Sequence, residues 1–147
     1  MIRKLKESDI NRVMDIWLNG NIEAHSFINT EHWKSHFDMA KEGILSAEVY
    51  LYEENNVIKG FIGITENYIA GIFIANNFRS KGIGRALIDY VKSIKKELTL
   101  NVFMKNERAI KFYLSNGFKI VNEEVECETG EDEYTMKWYL YGNYNNQ

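Results

Sequence analysis

Apolar and polar positions along the chain follow two periods, and the points where one gives way to the other mark the elements. Ile10, Val13, Met14, Trp17 and Leu18 recur at helical spacing, with Ser8 in a capping position and Gly20 as the expected stop. A second helix is predicted from Thr30, with Trp33, Phe37 and Ala40 inward and Gly43 ending it. Between them Asn21 to Asn29 reads as a loop carrying Glu23, His25 and Phe27. Residues 47–52 and 57–64 then read as strands joined through the polar link Glu53-Glu54-Asn55-Asn56, and Tyr68 to Ile74 as a third. The helical period returns with Ile83, Leu87, Val91 and Ile94 on one face and Arg85, Asp89, Lys92 and Lys96 on the other. Leu98 to Phe103 alternates as a strand. Asn106 caps a short helix, Glu107 to Asn116, which Gly117 stops, and Phe118 to Glu126 with Tyr134 to Leu140 form a last hairpin. With a short strand at the start, the order predicts one α/β domain of about seven strands over residues 1–141, followed by a polar, frayed tail at 142–147.

Composition narrows the partners. A chain of 147 residues that is 45% hydrophobic supports one core. A net charge of −3 gives no general attraction to nucleic acid or anionic membrane. Apolar runs such as Ile69 to Ala75 are too short to span a bilayer, and Met1 to Glu7 lacks the apolar core of a signal peptide, so a cytoplasmic location is expected. Cys127 is the sole cysteine, which excludes an internal disulfide. His32 and His36 lie four apart on a predicted helix, a spacing too common to count alone as a metal signal, so no metal is expected.

The most chemically specific stretch is Arg79-Ser80-Lys81-Gly82-Ile83-Gly84-Arg85, between the third strand of the series and an amphipathic helix. A strand feeding a glycine turn and a helix presents free backbone N–H groups at the positive end of the helix dipole, which suits phosphate. Two glycines let a ligand approach the backbone, and Arg79, Lys81 and Arg85 add positive charge. A dinucleotide-binding turn is a poor match, because Leu87 stands at its third glycine. The nucleotide P-loop fails for want of a Gly-Lys-Ser/Thr ending.

Two motifs together resemble the GNAT superfamily of acetyl-CoA-dependent N-acetyltransferases. One is the diphosphate turn, here Arg79, Gly82 and Gly84; the other is Asn106, Ala109, Phe112, Tyr113, Gly117 and Phe118 on the short helix. The resemblance extends over residues 2–140. It implies a mixed, mostly antiparallel seven-stranded sheet with helices on both faces and a splay between the fourth and fifth strands. Acetyl-CoA is implied as co-substrate, with its diphosphate on Arg79, Ser80, Lys81, Gly82, Ile83, Gly84 and Arg85. Its pantetheine arm would run along Ile72, Phe73 and Ile74 near Asn106, Ala109 and Phe112, with a strand N–H polarising the thioester carbonyl. Tyr113 resembles the family's general acid. A phenol with a pKa of about 10 protonating a thiolate of about 8.5 works uphill by roughly 2 kcal/mol, so a hydrogen-bond donor is the better description.

The base is the open point. Many family members carry a carboxylate on the strand before the turn, whereas this one opens with Tyr68 and has Glu66 just ahead of it. Glu66, His25 and Glu23 are the candidates, and His25, Phe27 and Tyr68 are assigned to the acceptor side. The expected function is direct acetyl transfer from acetyl-CoA to a primary amine, either a small molecule or a peptide, by a monomer or homodimer. The rival reading is a non-catalytic acyl-CoA sensor or interaction module on the same fold.

Overall fold

A computed structural model describes residues 1–141; the tail expected to fray, 142–147, lies outside the described residues. The strands are β1 (Ile2–Lys4), β2 (Glu48–Glu54), β3 (Val57–Thr65), β4 (Tyr68–Ile74), β5 (Glu97–Phe103), β6 (Lys119–Val125) and β7 (Asp132–Tyr139). They form one sheet in the order β1-β2-β3-β4-β5-β7-β6, antiparallel throughout except for the parallel β4–β5 junction. The helices are α1 (Ile10–Ala24), α2 (Thr30–Ser35), α3 (Phe37–Ser46), α4 (Ile83–Lys92) and α5 (Glu107–Ser115).

Strand alternation feeds two cores. Val49, Leu51, Ile58 and Phe61 meet Val13 and Ile16 of α1 on one face. Tyr50, Ile62, Ile64 and Ile69 meet Ile83, Leu87, Ile88 and Val91 of α4, with Tyr113 and Phe118, on the other. Helices therefore cover both faces, as the resemblance implies.

Three local readings change. Gly20 does not stop α1, which runs on to Ala24. Phe73 explains the glycine, because a Cβ at Gly20 would stand 3.2 Å from its ring, and one at Gly71 only 2.4 Å. The predicted second helix is two helices divided at His36, and Gly43 lies inside α3 rather than at its end. Asp9, not Ser8, stands at the N-cap of α1 and makes no side-chain cap bond there; its carboxylate accepts from the Lys6 N–H (2.8 Å), closing the 3-10 turn Glu7–Asp9 that precedes the helix, and pairs with Arg3.

Candidate active site

The cleft begins where two strands part. β4 and β5 are seven residues each, yet the only paired position is Tyr68 with Thr99, supported by the Thr99 N–H donating to the Asn67 carbonyl (2.9 Å). Beyond it the strands diverge. The register of β3 against β4 slips between Gly63 and Ile64, leaving Ala70 as an extra residue, and such a bulge bends a strand away from its neighbour. The resulting opening of about 970 Å³ has Ala70 to Ile74 on one wall and Asn101 to Phe103 on the other.

At one end stands the glycine turn. Gly82, in the N-cap position of α4, has φ +83°, a left-handed conformation that favours glycine, and a Cβ there would meet nothing within 4 Å. Ser80 also has a positive φ of 60°. The first amides of α4 therefore face open space from a turn built for close approach. Gly84 lies under Phe112 of α5, 3.2 Å from where its Cβ would be, so the two helices abut at the cleft. Arg79, Ser80, Gly82, Ile83, Gly84 and Arg85 line the opening, while Lys81 does not. Arg79 is held by Glu23 across the mouth (2.7 Å). Arg108, which reaches Ser80 Oγ (3.3 Å), and Lys105 add cationic charge that the motif does not include.

The middle of the cleft carries Asn106, Ala109, Phe112 and Tyr113. Asn106 caps α5 by accepting from the Ala109 N–H (3.3 Å), and its amide donates to His25 Nε2 (3.3 Å). Tyr113 is buried, packed edge-on against Phe112 and Phe118, and burial pushes its hydroxyl above the ordinary phenol range. The hydroxyl makes no hydrogen bond among the described residues.

At the other end is an aromatic wall. His25 stacks on Trp33 (5.1 Å between centroids) and meets Phe27 and Phe103 edge-on. Burial lowers its pKa to about 4, opposed in part by the Asn21 carbonyl. It is therefore neutral at pH 7 and a weak base. Phe27 touches this wall without lining the cleft, and Tyr68 stands at the foot of the wedge where β4 and β5 still pair. Glu66 is exposed in the β3–β4 turn, with φ 57°, and does not line the cleft.

Three carboxylates line the cleft: Glu23, tied to Arg79 at the mouth, Glu107 at the start of α5, and one deeper in that sequence reasoning passes over. Glu133 of β7, opposite Phe103 of β5, is only 9% exposed. Its carboxylate has no hydrogen bond or ion pair among the described residues. Burial first, then the charges of Glu126 and Glu124, raise its pKa above the ordinary carboxylate value. Its charge, after burial itself, also contributes to raising the Tyr68 hydroxyl. The pattern predicts a strand only from Tyr134, which leaves Glu133 beside the acidic turn, whereas β7 starts at Asp132.

Comparison with known proteins agrees with this geometry. Residues 46–120 match the profile of the acetyltransferase (GNAT) domain. The chain is 32% identical over 140 residues to the peptidyl-lysine N-acetyltransferase YiaC of Escherichia coli K12, covering 94% of this chain and 96% of that protein. It is 26% identical to the peptidyl-lysine N-acetyltransferase YjaB of the same organism, over 88% and 89% of the two chains. Among solved structures, the apo form of E. coli YjaB superposes with a TM-score of 0.83 at 23% identity, covering 94% of this chain and 96% of that one. YncA of Salmonella typhimurium, solved with its cofactor acetyl-CoA, superposes at 0.66 and 16% identity, covering 95% and 93%.

Proposed function

The chain belongs to the GNAT acetyltransferase family and is an N-acetyltransferase, and from that premise we propose that it moves the acetyl group of acetyl-CoA onto the ε-amine of lysine in a peptide or protein. The observation that carries the reading is the wedge between β4 and β5, closed at one pair of residues and open beside a left-handed Gly82. The relatives named as peptidyl-lysine N-acetyltransferases support the acceptor class.

The residues fit the co-substrate. Gly82 leaves a cradle that a side chain would fill, and the amides beyond it, with Arg79, Arg85 and Arg108 at hand, suit a diphosphate. Asn106, Ala109 and Phe112 would flank the pantetheine arm. When bound, acetyl-CoA supplies an activated thioester. Tyr113 keeps its proton, the more firmly for being buried, and serves as a hydrogen-bond donor to the leaving sulfur.

Glu133 takes the proton. A lysine ammonium with a pKa of about 10.4 costs roughly 4.6 kcal/mol to deprotonate at pH 7. A carboxylate in the cleft attracts the cation and then accepts a proton as the amine attacks. Raising its pKa brings it closer to the amine and makes it a better acceptor than an ordinary exposed glutamate. His25, neutral and tied to Asn106, instead shapes the acceptor wall with Trp33.

Mass spectrometry of lysine peptides, free N-terminal amines and small polyamines incubated with acetyl-CoA tests the acceptor class. Modification at internal lysines is expected to dominate; acetylation confined to small amines would refute the proposal. In the same assay Tyr113→Phe is expected to lower kcat by roughly 10- to 100-fold with acetyl-CoA affinity nearly unchanged. Wild-type turnover in that variant would remove Tyr113 from the mechanism.

A further inference from the structure

Away from the cleft, the fold joins two segments far apart in sequence through a cluster of electron-pair donors. We propose that His32, His36 and Glu128 form a binding site for one divalent transition ion of the zinc type, clamping α2 and α3 to the β6–β7 turn. This inference does not depend on the acyl-transfer reading.

His32 lies on α2, and His36 both ends α2 and begins α3. Their rings are 4.3 Å apart. The sequence offers only this pair, and the third donor arrives from 92 positions beyond His36. The nearest ligand atoms of the three residues all lie within 4.8 Å of one another. Zinc held tetrahedrally at about 2.0–2.2 Å from nitrogen and oxygen sets its ligands about 3.3 Å apart. Small rotations of partly exposed side chains close that difference.

The local hydrogen bonds already have the form such a site needs. Nδ1 of His36 donates to the His32 carbonyl (2.6 Å), which fixes the ring and turns Nε2 toward Glu128 Oε2, 2.7 Å away. A backbone carbonyl holding the far nitrogen of a ligating histidine is the usual outer partner in metal sites. Two lone-pair atoms at that distance need a cation between them. In the present arrangement it is a proton, and a metal ion can take its place.

Glu128 is itself positioned. Glu126 accepts from the N–H groups of Glu128 (2.7 Å) and Thr129 (3.1 Å), building the turn that presents Glu128, and its negative charge lies close enough to His32 and His36 to favour a cation. Two imidazoles and one carboxylate match the borderline chemistry of zinc, with a fourth position left for water. Because α2 carries Trp33 and β7 carries Glu133, an ion here would fix the two sides of the acceptor end relative to one another.

Titration calorimetry with zinc chloride on the full chain tests the site. One ion per chain is expected, with a Kd of about 1–10 µM. Cys127→Ser should bind equally, since the exposed thiol is not a ligand. Glu128→Gln, at an exposed position, and His32→Ala, at a half-buried one, should each bind at least about tenfold more weakly. Zinc should raise the melting temperature of the wild type and not that of Glu128→Gln. A wild-type Kd weaker than about 100 µM, equal binding in Glu128→Gln and His32→Ala, or loss of binding in Cys127→Ser would each overturn the proposal.

Discussion

Gly82→Glu is expected to weaken acetyl-CoA binding by at least about 100-fold, or ~2.8 kcal/mol, in titration calorimetry. The left-handed backbone at Gly82 strains any other residue by about 1–2 kcal/mol, too little to unfold a domain with two filled cores. A Cβ there meets nothing, so the side chain extends into the space in front of the α4 amides. A carboxylate then lies where the diphosphate would, taking its donors and repelling its charge. Gly82→Ala separates the terms: it carries the strain without the charge and should retain most of the affinity. Unchanged binding by Gly82→Glu would mean that the diphosphate is held elsewhere.

The second large effect falls on the chemical step. Glu133→Gln is expected to lower kcat/KM for a lysine acceptor by roughly 10²- to 10³-fold at pH 7 while acetyl-CoA affinity stays near wild type. The pH dependence carries a sign. In the wild type the base works only when ionised, so activity falls as pH drops through the Glu133 pKa, which lies above the ordinary 4.5. In Glu133→Gln the free amine must arise in solution, so the deficit should shrink as pH rises toward the pKa of lysine. Stability moves the other way. A carboxylate whose folded pKa is raised above its unfolded value destabilises the fold at pH values above both, so its neutral isostere should melt at the same temperature or higher. A stable variant with wild-type kcat/KM would exclude Glu133 as the proton acceptor.

The parts of this molecule that were legible in the sequence are those set by local spacing. Apolar runs bounded by polar turns mark β2 to β4 and alternation marks β5, and Tyr68–Ile74 stands as read. The turn at 79–85 and the Asn106 cap are short-range devices whose residues carry their own geometry. What escaped depends on contacts that spacing does not encode. Gly20 looks like a helix stop until Phe73 is found above it. Glu133 looks like one more acidic residue in a hairpin until β7 is seen to start at Asp132 and to turn it toward Phe103. Arg108 reaches the glycine turn only because α5 packs beside α4, and Glu128 meets His36 only because the β6–β7 turn folds back on α2. Glu66 precedes β4 in sequence, where a base would be expected, and the left-handed turn that carries it holds it outside the cleft.

A crystal structure of the chain grown with acetyl-CoA is the most direct test. The diphosphate is expected within hydrogen-bond distance of the amides from Gly82 to Arg85, with the thioester lodged between β4 and β5 and its sulfur facing the Tyr113 hydroxyl. A diphosphate bound away from that turn, or strands β4 and β5 paired along their whole length around a cofactor seated elsewhere, would contradict the account.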